Sequence, residues 1–394
     1  MSPRPEIYLD HAATTPLDPE VLAAMRPFWE GTYGNPSSLH RWGKTARKAL
    51  EAARVQVAQV LHGSPEGVTF TSGGTEANNL AILGFAHRLR ADGKNHVIVS
   101  AIEHPCVLAP AQWLSQHGWD VTFLPVDAEG QVQLETLEAA LRPETGLVSI
   151  MHGNNEVGTL QPIEAIGTLL RERGIVFHTD AVQTAGKLPL DVSQLPVDAV
   201  TLSSHKVYGP KGIGALYVRP DAPQPEPLIR GGGQESDRRS GTENVAGIVG
   251  FGEALTRCAQ RMGEETPRLQ HLQEWLIQAL LTQLPTARLN GPRDVTRRVP
   301  GNVNLSLPPI GGDALVLQLD LRGIAVSSGS ACHSATLEPS HVVLAMGHPR
   351  EVAQSTVRFS MGRGTTQADL DHVLAVLPGI VDRLTPRQAV SPSA

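Results

Sequence analysis

Apolar runs of five or six residues recur through the middle of the chain, at 96–100, 121–126, 147–151, 175–179, 199–203 and 214–219. Each is rich in valine, isoleucine or leucine and is bounded by glycine, proline or aspartate. Runs of this length without polar alternation are characteristic of strands buried on both faces. Between several of them the apolar positions fall at helical spacing, as at 134–141 and 163–173. Strands alternating with helices predict βαβ units and a largely parallel sheet covered on both faces. From 245 to 284 the pattern is helical, interrupted only by Pro267, as expected of a connector leaving a large domain. Beyond it, 302–307, 324–327 and 356–360 read as strands of a smaller α+β domain. The expected class is therefore α/β. A large domain is expected over 15–260, and a small one over 1–14 and 261–394.

A length of 394 residues is consistent with two cores. The formal charge of -6 leaves no basic excess to neutralise phosphates, which argues against direct nucleic-acid binding. No run reaches the roughly 20 apolar residues of a membrane helix, and the start has no apolar stretch of signal-peptide length. A cytoplasmic protein with no membrane contact is expected. Cys106, Cys258 and Cys332 are too few, and odd in number, for a disulfide framework. A reducing compartment would keep a reactive thiol usable.

Three segments carry candidate chemistry. Ser203, Ser204, His205 and Lys206 follow a predicted strand, where a lysine reaches a cleft at the carboxyl edge of the sheet. Such an amine can bond an aldehyde cofactor if burial frees it of its proton, although a lysine in a glycine-rich turn is ordinarily a solvated charge. Asp180 ends another strand, with Gln183 one helical turn on. A carboxylate there suits a protonated pyridine nitrogen, or simply caps the next helix. The segment 71–76, Thr-Ser-Gly-Gly-Thr-Glu, leads a strand at 68–70 into a helical pattern at 77–85. Small residues opening a helix expose N–H groups to an anion, or serve only as an N-cap. The spacing is neither G-x-G-x-x-G nor a P-loop, so a nucleotide is not implied.

Together with these segments, ten stretches in order along nearly the whole chain resemble the cysteine desulfurases of the class-V aminotransferase group, the sulfur donors of iron–sulfur cluster assembly. They are YLDHAATTPLDPEV (8–21), GNPSSLH (34–40), TSGGTEANNLAI (71–82), EHPCVL (103–108), MHGNNEVGTLQPI (151–163), HTDAVQTAGK (178–187), SSHKVYGPKGIGALYVR (203–219), GGGQESDRRSGTENV (231–245), SSGSACHSATLEPS (327–340) and VRFSMGRGTT (357–366). The resemblance implies a pyridoxal 5'-phosphate (PLP) dependent transferase of fold type I, with a seven-stranded, mainly parallel sheet. Lys206 would hold PLP covalently, Asp180 would pair with the pyridine nitrogen and Gln183 with the phenolic oxygen. His104 would stack on the ring and act in proton transfer. Gly74, Thr75, Ser203 and His205 would bind the phosphate, joined by Thr242 from the other subunit of a homodimer. Asn155, also beside the cofactor, and Arg358 would hold the carboxylate of L-cysteine.

The most diagnostic stretch surrounds Cys332, which would take the sulfur as a persulfide. Its small residues suit a loop that carries a thiol from cofactor to partner. The implied reaction turns L-cysteine into L-alanine, with sulfur passed to an iron–sulfur scaffold protein and, as further acceptors, to tRNA-thiolation proteins. Any metal contact of Cys332 would be transient, in a cluster shared with the scaffold. A selenocysteine lyase, a cysteine-sulfinate desulfinase and a non-enzymatic PLP-binding scaffold are the competing readings. Two residues depart from the family pattern: Asp237 brings charge near the expected dimer contact, and His333 adjoins the thiol. Cys106 and Cys258 read as small buried hydrophobes.

Overall fold

A computed structural model describes residues 6–329 and 338–385. The strands are β1 (Ile7–Tyr8), β2 (Val68–Thr71), β3 (His96–Ser100), β4 (Asp120–Leu124), β5 (Thr145–Ser149), β6 (Val176–Asp180), β7 (Ala199–Ser203), β8 (Gly214–Val218), β9 (Arg288–Leu289), β10 (Asn302–Ser306), β11 (Ile324–Ala325), β12 (Ser327–Ser328) and β13 (Thr356–Ser360). Seven of them form the main sheet in the order β2-β8-β7-β6-β5-β3-β4. All neighbours run parallel except at β8, which is antiparallel to both β2 and β7. The sheet is thus mainly parallel, as expected.

The unbroken apolar runs become strands because helices cover both faces. Every residue of β3, β5, β6, β7 and β8 is buried. Edge strand β4 is the exception, with Asp120 and Phe123 exposed. The predicted run at 324–327 is two short strands, β11 and β12, separated at Val326 and paired in different sheets. β12, β13, β10 and β9 make a four-stranded antiparallel sheet, while β1 pairs with β11.

The helix Val245–Gln283 continues past Pro267 and serves two cores. Its first part places Phe251, Leu255 and Cys258 in the core beneath the main sheet. Its second part places Leu269, Leu272, Leu276 and Leu280 in a core built otherwise from Ile7, Leu9 and residues beyond 300. With 39 residues it is about 58 Å long.

What positions the site is the carboxyl edge of the main sheet. There β2, β3, β5, β6 and β7 end side by side, because all five point the same way. A small satellite core caps this edge. Ile102, Met151 and Val157 pack against Val342, Val343, Met346 and Val352 from the helices His341–Ala345 and Arg350–Gln354. Val342 and Val343 are wholly buried, which stabilises this docking by about 1.5–3 kcal/mol for each side chain. The cleft between sheet edge and cap holds the candidate site. Among the described residues no helix is long and apolar enough to cross a membrane.

Candidate active site

One cavity of about 380 Å³ is lined by Gly74, Thr75, His104, Asn155, Asp180, Gln183, Ser203, His205, Lys206 and Arg358, all predicted from sequence. They come from the ends of β2, β3, β5, β6 and β7, and from β13 of the smaller sheet. Open α/β sheets bind ligands at this edge because side chains from several strand ends converge there.

At one end the helix Gly74–Arg90 opens toward Ser203 and His205. Its first-turn N–H groups and dipole favour an anion. A Cβ built on Gly74 would meet Val182 at 3.2 Å and Ser203 at 3.4 Å, so a side chain there would fill the cradle. Burial and the nearby charges of Lys206 and Lys211 push the His205 imidazole down to about 4, which leaves it neutral at pH 7. Its Nδ1 lies 3.1 Å from Thr14 Oγ1.

In the middle, Lys206 leaves the short turn Ser204–Lys206 and donates to the carbonyls of Ala12 and Ala13, both at 2.6 Å. Thr15 Oγ1 donates to the His205 carbonyl at 2.9 Å, tying this early segment across the lysine turn. Asp180 is buried. Its Oδ1 accepts from Val182 N at 2.9 Å and its Oδ2 from Asn78 Nδ2 at 2.6 Å. Burial raises its pKa, against the lowering by these bonds and by the charge of Lys206. No helix follows Asp180; residues 182–187 form turns, so the helix-cap reading is corrected. Gln183 Nε2 donates to Ala12 O at 3.0 Å. His104 caps the helix Pro105–Gln116, its Nδ1 accepting from Cys106 N at 3.2 Å.

At the far end Arg358, only 3% exposed, donates to the Asn155 carbonyl at 2.8 Å and to Asp10 Oδ1 at 2.9 Å. Its buried Nε has no partner among the described residues. An unsatisfied buried N–H of a guanidinium is costly unless an acceptor arrives, so this group is set to receive an anion. Asn155 sits in a turn that Gly158 closes at φ +80, where a Cβ would strike Asn302 at 2.7 Å.

Several contributors carry no sequence signal of their own: Asp10, the carbonyls of Ala12 and Ala13, and Asn78. Cys106, read as an inert hydrophobe, lines the cavity beside His104. Cys258 keeps the hydrophobic reading, buried on the long helix with its Sγ 3.4 Å from Val207 O. Thr242 is exposed and does not line this cavity. Asp237 is exposed in a left-handed conformation, φ +65. Cys332 and His333 lie outside the described residues. The residues flanking their segment, Gly329 and Glu338, both line the cavity.

The donor set fits PLP. The glycine cradle and helix start suit its phosphate, the buried carboxylate of Asp180 its ring nitrogen, and the Lys206 amine its aldehyde carbon.

Comparison with known proteins gives a coherent picture. The model of the class-V aminotransferases matches residues 7–373. The cysteine desulfurase IscS of Dictyoglomus turgidum is 47% identical over 379 residues, 96% of this chain and 95% of that protein. The cysteine desulfurase IscS of Methanosarcina thermophila is 46% identical over 386 residues, 98% of this chain and 94% of the other. Among solved structures, a NifS-like protein of Rickettsia africae superposes with a TM-score of 0.86 at 33% identity, covering 96% of this chain and all (100%) of that one. A structure of SspA in complex with cysteine gives a TM-score of 0.79 at 38% identity, covering 90% and 98%.

Proposed function

The chain belongs to the class-V aminotransferase family, and on that premise we propose that it is a PLP-dependent cysteine desulfurase. It takes the sulfur of L-cysteine, releases L-alanine and holds the sulfur as a persulfide on Cys332 for acceptor proteins. The observation that carries this reading is the convergence of Lys206, Asp180, His104 and Arg358 on one cavity, with Gly329 and Glu338 at its wall on either side of the Cys332 segment.

PLP, when bound, supplies an electron sink for the pair released at the substrate Cα. Lys206 holds the cofactor and, once free, takes the Cα proton. Asp180 keeps the proton on the ring nitrogen; its raised pKa reflects burial, and a cation beside it restores the ionised form. Gln183 bonds the phenolic oxygen, and His104 stacks on the ring and handles protons. Gly74, Thr75, Ser203 and His205 bind the phosphate, completed by Thr242 of a neighbouring subunit in a homodimer. Arg358 and Asn155 orient the substrate carboxylate, which presents the Cβ–S bond for attack. The Cys332 thiolate attacks the substrate sulfur: an S–S bond forms, the Cβ–S bond breaks with its electron pair passing to the carbon skeleton, and the skeleton takes up protons and leaves as alanine. The persulfide sulfur is then delivered to an iron–sulfur scaffold protein in the cytoplasm, with tRNA-thiolation proteins as further acceptors.

Incubation with L-cysteine should yield alanine and a mass increase of one sulfur on the peptide bearing Cys332. The peptides bearing Cys106 and Cys258 should stay unmodified, because burial raises both thiols above the usual range, Cys258 to about 11. Alanine without sulfur on Cys332 would point to a lyase of the selenocysteine or sulfinate type. No alanine at all would refute the reading.

Arg358→Lys should raise KM for cysteine about tenfold to a hundredfold while kcat changes much less. Lysine keeps the charge but loses the fork that grips a carboxylate, and a hydrogen bond to a charged group contributes about 1.5–3 kcal/mol. Steady-state alanine release over a range of cysteine concentrations reads this directly. An unchanged KM would remove Arg358 from the substrate site.

A further inference from the structure

Cys106 stands where two parts of the site meet. Its Sγ lies 2.8 Å from Nδ1 of His104 and 3.0 Å from Nδ2 of Asn78. The same Asn78 nitrogen donates to Asp180 Oδ2 at 2.6 Å. The directions of these bonds follow from chemistry. Asn78 Nδ2 can only donate, so Sγ accepts from it. The Cys106 backbone N–H also only donates, and it points at His104 Nδ1 from 3.2 Å, so Nδ1 carries a lone pair and no proton. The thiol hydrogen is left to donate, and Nδ1 is the acceptor within reach. Burial, with the carboxylate of Asp180 adding to it, keeps the sulfur protonated.

We propose that Cys106 is a positioning residue for His104, its S–H holding the imidazole neutral with the proton on Nε2 and linking that orientation through Asn78 to Asp180. A proton added at Nδ1 would face two donors, the backbone N–H and the S–H, and would break both bonds. The thiol therefore favours one protonation state and one tautomer of the histidine. It takes no part as a nucleophile. The inference rests on the reading of the cavity as a PLP site in which His104 meets the ring. Among the described residues the other titratable groups in the cavity are Asp180, His205, Lys206, Glu156, Glu338, His341 and Arg358, and Glu103 acts on Cys106 as well. Substitution at Cys106 leaves all of them in place, so a change between variants isolates the thiol.

The test uses the full-length holoenzyme and its Cys106→Ala and Cys106→Ser variants. Removing the S–H removes a bond made only to neutral His104. The acid limb of the kcat/KM profile should then move to higher pH by about half to one unit, a threefold to tenfold change in proton affinity. Titration of the visible absorption of the bound cofactor, without substrate, should move in the same direction. Cys106→Ser, which keeps an O–H donor, should return both toward wild type. If alanine and serine variants shift alike, or neither shifts, the proposal fails. Nitrogen NMR of the wild type with labelled histidine decides independently, even if the alanine variant does not fold. A proton on Nε2 of His104 with Nδ1 as acceptor supports the proposal, and a proton on Nδ1 overturns it. Absence of alanine formation by the wild type would instead count against the desulfurase reading, and leaves the tautomer result intact.

Discussion

Replacing Lys206 by alanine will abolish alanine formation from cysteine, lowering turnover by at least about ten-thousandfold. The expectation follows from where the amine sits. Its turn follows β7, and the carbonyls of Ala12 and Ala13 fix Nζ inside the cavity from 2.6 Å each. Two acceptors from one short segment leave the amine little freedom to point elsewhere. Among the described residues no other lysine lines the cavity. Lys211, five residues on, is exposed on the surface. After borohydride reduction the cofactor mass should therefore appear on the Lys206 peptide of the wild type and on no peptide of the variant. The variant should still take up PLP weakly through the phosphate end, which does not depend on the amine. Recovery of the cofactor on Lys211, or undiminished turnover without Lys206, would show that the chemistry is placed wrongly.

Cys332→Ser will separate cofactor chemistry from sulfur transfer. The visible spectrum and cysteine binding should match the wild type, because the groups that hold cofactor and substrate come from the strand ends and β13. Sulfide release and persulfide formation should fall at least about a thousandfold. A serine hydroxyl stays protonated at neutral pH, whereas a thiol has a pKa near 8.5 and is the nucleophile of sulfur exchange. Turnover of selenocysteine should persist in the variant, since selenium leaves more readily without a protein nucleophile. The two substrates measured side by side discriminate the readings: loss with cysteine alone supports the persulfide route. Desulfuration of cysteine at the wild-type rate by the serine variant would remove Cys332 from the reaction.

The main sheet was legible because its strands are buried on both faces, so β3, β5, β6, β7 and β8 appear in the sequence as plain apolar runs. The reversal of β8 was not, since an apolar run has no direction. The turn after Asp180 was missed for a related reason: Ala181–Gly186 is short and apolar enough to pass for helix. In the site, residues adjoining strand ends or glycine-rich turns were readable, as Lys206, Asp180 and Gly74 show. Asp10, Ala12 and Ala13 were not, although their segment was noticed. They act on Arg358 and Lys206 across 348, 194 and 193 positions of sequence. Two of them do so through backbone carbonyls, which every residue type supplies. Cys106 was read as a plain hydrophobe because Asn78, which joins it to Asp180, reaches it only once the helix Gly74–Arg90 packs beside it.

The pairing of β1 with β11 has a consequence for how the protein is made. The partners of residues 7–8, at 324–325, are synthesised more than three hundred residues after them. Until then the early segment over Lys206 is held only from the side of the main sheet, by Thr15 on the His205 turn and by Gln183 on Ala12, and Asp10 has no Arg358 to pair with. The main sheet can assemble as its strands emerge, but the second support of that segment waits for the small sheet. Closing so long a loop is slow and has an entropic cost that only the finished small sheet offsets. The Asp10–Arg358 end of the cavity is thus completed only after translation has passed β13.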